Sequence, residues 1–156
     1  MKLKIVTAIA SVTLLIPQAG SGQTITQAES FVRHVYAAYE HPTSERNGDY
    51  LWKGAPLVFS SSLVGLIHMD QHNTPKGYVG KLDFDPICAC QDSDGLKLTA
   101  LTIKAIGSGR AIVNVALHYP EPAEEQLQLD LLWTPAGWRI DDIESKKVSS
   151  LRKFLR

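Results

Sequence analysis

The chain has 156 residues, 44% of them hydrophobic, with 16 Lys and Arg set against 16 Asp and Glu. That is enough apolar material for one domain, and there is no net positive charge to hold a polyanion. Without Lys2 and Lys4 the count is 14 basic against 16 acidic groups. The 5 cations Lys146, Lys147, Arg152, Lys153 and Arg156 close the chain, so the body before them carries −7. An acidic body with a basic tail argues against nucleic acid as the main partner.

Residues 1–22 read as an export signal. Lys2 and Lys4 precede an apolar run from Ile5 to Ile16, Pro17 breaks it, and small residues Ala19 and Ser21 follow. The run is too short to span a bilayer of roughly 30 Å, so cleavage near Ser21–Gly22 is expected, with no membrane span left afterwards. Residues 23–156 then form a single domain, periplasmic or secreted. No Cys stands at the cleavage region to carry a lipid.

Thr26-Gln27-Ala28-Glu29 has the pattern of a capping box. Ala28, Phe31, Val32, Val35, Tyr36 and Tyr39 follow at helical spacing, which predicts a helix from Thr26 to about Glu40, ended by His41-Pro42. Asn47-Gly48 reads as a turn, with Tyr50 and Trp52 as anchors to the core. A second helix is expected from Leu57 to about Asp70, with Phe59, Leu63, Leu66 and Ile67 on its apolar face. Gln71 to Gly80 is loop, Gly77 and Gly80 bracketing Tyr78 and Val79.

Lys81 to Gly95, KLDFDPICACQDSDG, combines four Asp, Pro86, two Cys and a closing Gly, and reads as an ordered loop. Beyond it lie four strand candidates with short connections: Leu96–Ile106, Ala111–Tyr119, Gln126–Thr134 and Trp138–Glu144. Pro120-Glu121-Pro122 opens the loop between the second and third of them. Leu127, Leu129, Leu131 and Trp133 alternate with Gln126, Gln128 and Asp130. The pattern predicts an α+β domain, N-terminal helices packed on an antiparallel four-stranded meander. Val148, Leu151 and Leu155 give the tail an apolar stripe and predict a short closing helix.

Several residue sets suggest chemistry. Cys88 and Cys90 stand two apart, which allows a strained disulfide, two free thiols or a two-thiolate metal site. Asp83, Asp85, Gln91, Asp92 and Asp94 have a fragment of calcium-loop grammar but lack the later bidentate Glu; the ordinary role is capping of backbone N–H groups. Asp85 and Asp92 are expected to face inward as structural acceptors, Asp83 and Asp94 to stay exposed. His68 and His72 have i, i+4 zinc spacing without an evident third ligand. In the last strand Trp138, Ile140 and Asp142 share one face, which makes Asp142 the inward carboxylate of an acid–base pocket, with Asp130, Asp141 and His118 nearby. No catalytic set and no cofactor or metal motif stands out among these residues.

The order helix, helix, meander, with the ending Gly-Trp-Arg-Ile-Asp-Asp-Ile at 137–143, resembles the cystatin-like α+β cone of the nuclear-transport-factor-two-like superfamily. Asp83-Phe84-Asp85-Pro86-Ile87 followed by Gln91-Asp92 resembles the signature of a bacterial envelope family of unknown function that includes YbjP-like lipoproteins. The resemblance implies a strongly curved sheet whose concave face serves as a ligand pocket or a protein-docking surface, and it brings no catalytic residues. Three functions follow as expectations. One is a non-enzymatic domain that docks another envelope protein or, as an immunity protein, a toxin. The others are a small-ligand binder using the cone cavity, and a hydrolase or isomerase with a carboxylate in the cone.

Overall fold

The computed structural model describes residues 21–41, 54–107, 109–120 and 124–156. The expected export signal (residues 1–20 of it), the Asn47-Gly48 turn, the anchors Tyr50 and Trp52, and Glu121-Pro122 lie outside them.

Helix α1 spans Ser21–Glu40. It begins ahead of the predicted cap because no Gly or Pro separates Gln23 from Thr26, so Thr26 lies inside the helix. Its apolar stripe is the expected one: Ala28, Val32, Val35, Tyr36 and Tyr39 are buried. The second predicted helix is two helices, α2 Ala55–Val58 and α3 Ser61–Asn73. The break has a local cause. Ser60 is extended, and its hydroxyl accepts from the Leu63 amide at 3.2 Å as an N-cap.

The sheet comprises β1 Lys97–Gly107, β2 Arg110–His118, β3 Glu125–Thr134 and β4 Gly137–Glu144, in the order β1-β2-β3-β4 with antiparallel neighbours. Val113, Val115, Leu117, Leu127, Leu129 and Leu131 bury the face covered by the helices. The break between α2 and α3 lets Phe59 form a parallel bridge with Ile140, and the Ser60 amide donates to the Ile140 carbonyl at 2.8 Å. At Ile140 the outer edge of β4 is thereby paired.

Three register shifts interrupt the sheet, one of them at Ile106, between Ala105 and Gly107 at the end of β1. Thr99 is the other extra residue of β1, between Leu98 and Ala100, and Asp141 is that of β4. The shift at Asp141 overturns the expected placing of Asp142. The bulge switches the alternation, so Ile143 follows Trp138 and Ile140 into the core, and Asp142 lies opposite Asp130 on the polar face. Helix α4, Leu151–Phe154, closes the chain as expected, with Val148, Leu151 and Leu155 buried. Asp142 holds it in place by accepting from the Ser150 hydroxyl at 2.6 Å and the Arg152 amide at 3.0 Å. No helix among the described residues is long and apolar enough to cross a membrane.

Candidate functional site

The predicted loop begins later than Gln71, because α3 continues to Asn73; the segment from Thr74 to Gly95 brings together an apolar cleft and a covalently closed turn. Asp70, at the end of α3, sets the entry. Its carboxylate accepts from the amides of Lys81 and Leu82, both at 3.0 Å. The chain between is thus pulled back over the helix. Ile67, Tyr78, Val79 and Leu82 then line a cleft of about 390 Å³ with Asp70 and Thr74 at its polar side. Tyr78 and Val79 are each 76% exposed, and Met69, one residue before Asp70, is 58% exposed. Gly80 lets the chain approach closely here, because a Cβ would stand 2.5 Å from an Asp70 carboxylate oxygen and push that side chain away.

After the cleft the chain turns inward. Phe84 is buried, its ring 6.3 Å from that of Phe154 and covered by the Lys147 ammonium at 4.7 Å. Asp85 and Cys90 form an antiparallel bridge, each amide donating to the other's carbonyl. The Asp85 carboxylate accepts from the Tyr39 hydroxyl at 2.6 Å and from the Ile87 amide at 2.9 Å. Two further hydroxyls reach the turn's carbonyls: Tyr36 donates to Ile87 at 2.8 Å and Tyr119 to Cys88 at 2.6 Å. Burial pushes the Tyr36 hydroxyl well above its ordinary pKa, with the charge of Asp85 acting the same way. Burial also raises Tyr119, with Glu125 and Asp85 adding to it. Both therefore stay protonated donors at neutral pH. Cys88 and Cys90 are joined by a disulfide with Cα atoms 5.1 Å apart. Of the alternatives the sequence leaves open, the structure has the disulfide.

The four loop carboxylates divide differently from the expectation. Asp85 faces inward, and Asp83 and Asp94 are exposed, as predicted. Asp92 is exposed too, and it accepts from the Asp94 amide at 3.0 Å. The cause is local: an Asx turn satisfies Asp92 two residues on, so its side chain need not cross to the sheet. Pro86 is buried beside Asp85, and Gln91 reaches only the Asp83 carbonyl at 3.5 Å. His68 and His72 are exposed on α3, and His118 is exposed at the end of β2. Among the described residues, no three His, Cys, Asp or Glu side chains converge to hold a metal ion. Trp138 is buried and packs edge-on against Trp133 at 5.3 Å.

The face of the sheet away from the helices carries the strand carboxylates. Thr102, Asn114, Gln128 and Glu144 lie side by side across the four strands and line a shallow groove of about 600 Å³. Asp130, one step along, is raised from its ordinary pKa by partial burial and then by Asp142. A raised carboxyl stabilises the fold below its unfolded pKa, and that stabilisation fades as pH rises through the folded value. Asp130→Asn should therefore raise the melting temperature slightly at pH 7, by a few degrees at most, and change nothing near pH 3. Melts at the two pH values check this; an equal shift at both would mean that charge is not the cause.

The cleft is what the sequence reading missed. Its signal was present, in two large apolar residues placed between Gly77 and Gly80 in a loop, but without the Asp70 tether nothing indicated that they stand exposed.

Among curated proteins, the chain is 28% identical over 133 residues to the uncharacterized protein YqhG of Escherichia coli strain K12, a match covering 83% of this chain and 41% of that protein. It thus spans about two-fifths of the length of the curated relative it matches. No protein-family model matches the chain, and no solved structure does.

Proposed function

We propose that this chain is an exported, non-enzymatic domain that docks another envelope protein through the cleft beside α3. The observation that carries the reading is Tyr78 and Val79, each 76% exposed over an apolar cleft. Large side chains exposed together at a rimmed apolar patch are typical of protein contact sites, and tyrosine is enriched among the residues that dominate binding. Exposed Asp83 lies just beyond and adds a charged rim suited to a basic partner. A secreted toxin neutralised by this domain is a special case of such a partner. Periplasmic location rests on the leading apolar segment, and the cystatin-like cone is supported by the register shifts of the meander, since bulges bend and twist strands. Membership of the YbjP-like family is supported by the place of Asp85-Pro86 at the centre of the tethered turn. A ligand inside the cone is disfavoured, because Tyr36, Leu63, Ile67, Leu129 and Ile140 fill the space between helices and sheet. A carboxylate-based hydrolase or isomerase is disfavoured because Asp142 serves α4 from the polar face.

Photo-crosslinking tests the docking surface. A crosslinking residue in place of Tyr78 should give one dominant adduct in periplasmic extract, lost on adding Val79→Asp while the melting temperature stays unchanged. The same residue at His118 should give none. Equal adducts from both positions would remove the cleft as the docking site.

A further inference from the structure

The Cys88–Cys90 disulfide closes a ring around a single residue, so it restrains almost no chain in the unfolded state and has little value as a stability device. Its effect is on the backbone. Ala89 is the one non-glycine described residue with positive φ, at 53°. That left-handed conformation is disfavoured for a residue with a Cβ. The same short turn is fixed at both flanks, by the Asp85–Cys90 bridge and by the Tyr36 and Tyr119 hydroxyls. The two sulfurs are unequal. Cys88 is wholly buried, whereas Cys90 is only partly buried. Cys88 Sγ also lies 3.6 Å from the Asp85 carbonyl oxygen, which already accepts from the Cys90 amide and has a second lone pair for the Cys88 thiol once the disulfide is reduced.

We propose that Cys88–Cys90 is a thiol–disulfide exchange site for a dithiol protein, entered at Cys90. The incoming thiolate bonds to Cys90 Sγ, and the Cys88–Cys90 bond breaks with its electron pair passing to Cys88 Sγ. That sulfur takes a proton and donates it toward the Asp85 carbonyl. The partner's second thiolate then attacks the mixed disulfide at the partner's own sulfur and releases Cys90 as a thiol. The partner dithiol is oxidised by two electrons, and the Cys88–Cys90 disulfide is reduced to two thiols. Release lets Ala89 leave the left-handed region, and this relaxation favours reduction. The Asp85–Cys90 bridge loosens with it.

The full chain equilibrated in oxidised and reduced dithiothreitol, quenched with an alkylating agent and weighed by mass spectrometry, tests this. Both cysteines should become alkylated while the far-ultraviolet circular dichroism stays native. Ala89→Gly relieves the oxidised ring, and it should shift the equilibrium toward the disulfide by about five- to thirtyfold, the left-handed penalty of one residue expressed as a ratio. In Cys88→Ser the remaining thiol should react readily with oxidised glutathione, and in Cys90→Ser it should resist. Reduction that occurs only after unfolding, an Ala89→Gly equilibrium equal to wild type, or equal reactivity of the two single-cysteine proteins would overturn the proposal.

Discussion

Asp85→Ala should cost about 2–3 kcal/mol of folding stability, the scale for buried donors that lose a charged acceptor, and lower the melting temperature by roughly 10 °C. The carboxylate receives the Tyr39 hydroxyl from α1 and the Ile87 amide from its own turn. Removing it strands both donors where water reaches poorly, since Tyr39 is 5% exposed and Ile87 fully buried. Tyr39→Phe removes only one of the two bonds and should cost less, about 1 kcal/mol. Asp83→Ala, Asp92→Ala and Asp94→Ala alter exposed side chains and should each stay within about 0.5 kcal/mol. Urea melts of the five variants decide the matter. Comparable small losses at all four carboxylates would show that Asp85 does not tie the loop to α1.

Asp141→Ala should be of similar size, roughly 2–3 kcal/mol, because it leaves a partly buried guanidinium without its counter-ion. Asp141 is the residue pushed out of the β4 ladder by the bulge, and it collects groups from three elements. The Ser60 hydroxyl at the start of α3 donates to it at 2.7 Å, Arg152 of α4 at 3.0 Å, and Arg110 of β2 stands at 3.7 Å. The side chains of Asp141 and Arg152 are only 14% and 22% exposed, so solvent screens the pair less than it would at the surface. Arg152 also donates to the Ser62 hydroxyl at 2.8 Å, which carries the link back to α3. Asp141→Asn keeps an acceptor for Ser60 and should recover part of the loss. A double-mutant cycle with Arg152→Ala measures the coupling, and a coupling near zero would mean that the carboxylate acts through Ser60 alone.

The local rules carried the sequence reading a long way. Helical spacing placed the buried stripe of α1, alternation gave the four strands and the inward face of β2 and of β3 as far as Leu131, though Trp133 stands exposed at the strand's end, and the tail's three apolar residues are buried where a closing helix was expected. What could not be read were events that depend on a distant partner. The split between α2 and α3 is marked by Ser60, but its purpose, pairing with Ile140, lies 80 residues on. The bulge at Asp141 has no signature in Arg-Ile-Asp-Asp-Ile, where strict alternation is the natural assumption, and so Asp142 was assigned to the wrong face. Asp92 failed for the opposite reason, because its own next-but-one amide outcompeted any distant partner.

The strand order β1-β2-β3-β4 has a consequence for when the fold can form. Each hairpin closes between neighbours in sequence, so the sheet can zip up locally once its strands exist. Helix α1 precedes the sheet in the chain, so the surface that buries Tyr36 and Val32 is made after it, and Leu151 and Arg152 follow the last strand. The apolar stripe of α1 packs chiefly against β1, so its cover begins with the first strand, whereas α2, α3 and α4 pack against β4. The hairpins can thus form in sequence, and the docking of the helices onto the finished face is the step that joins distant parts of the chain.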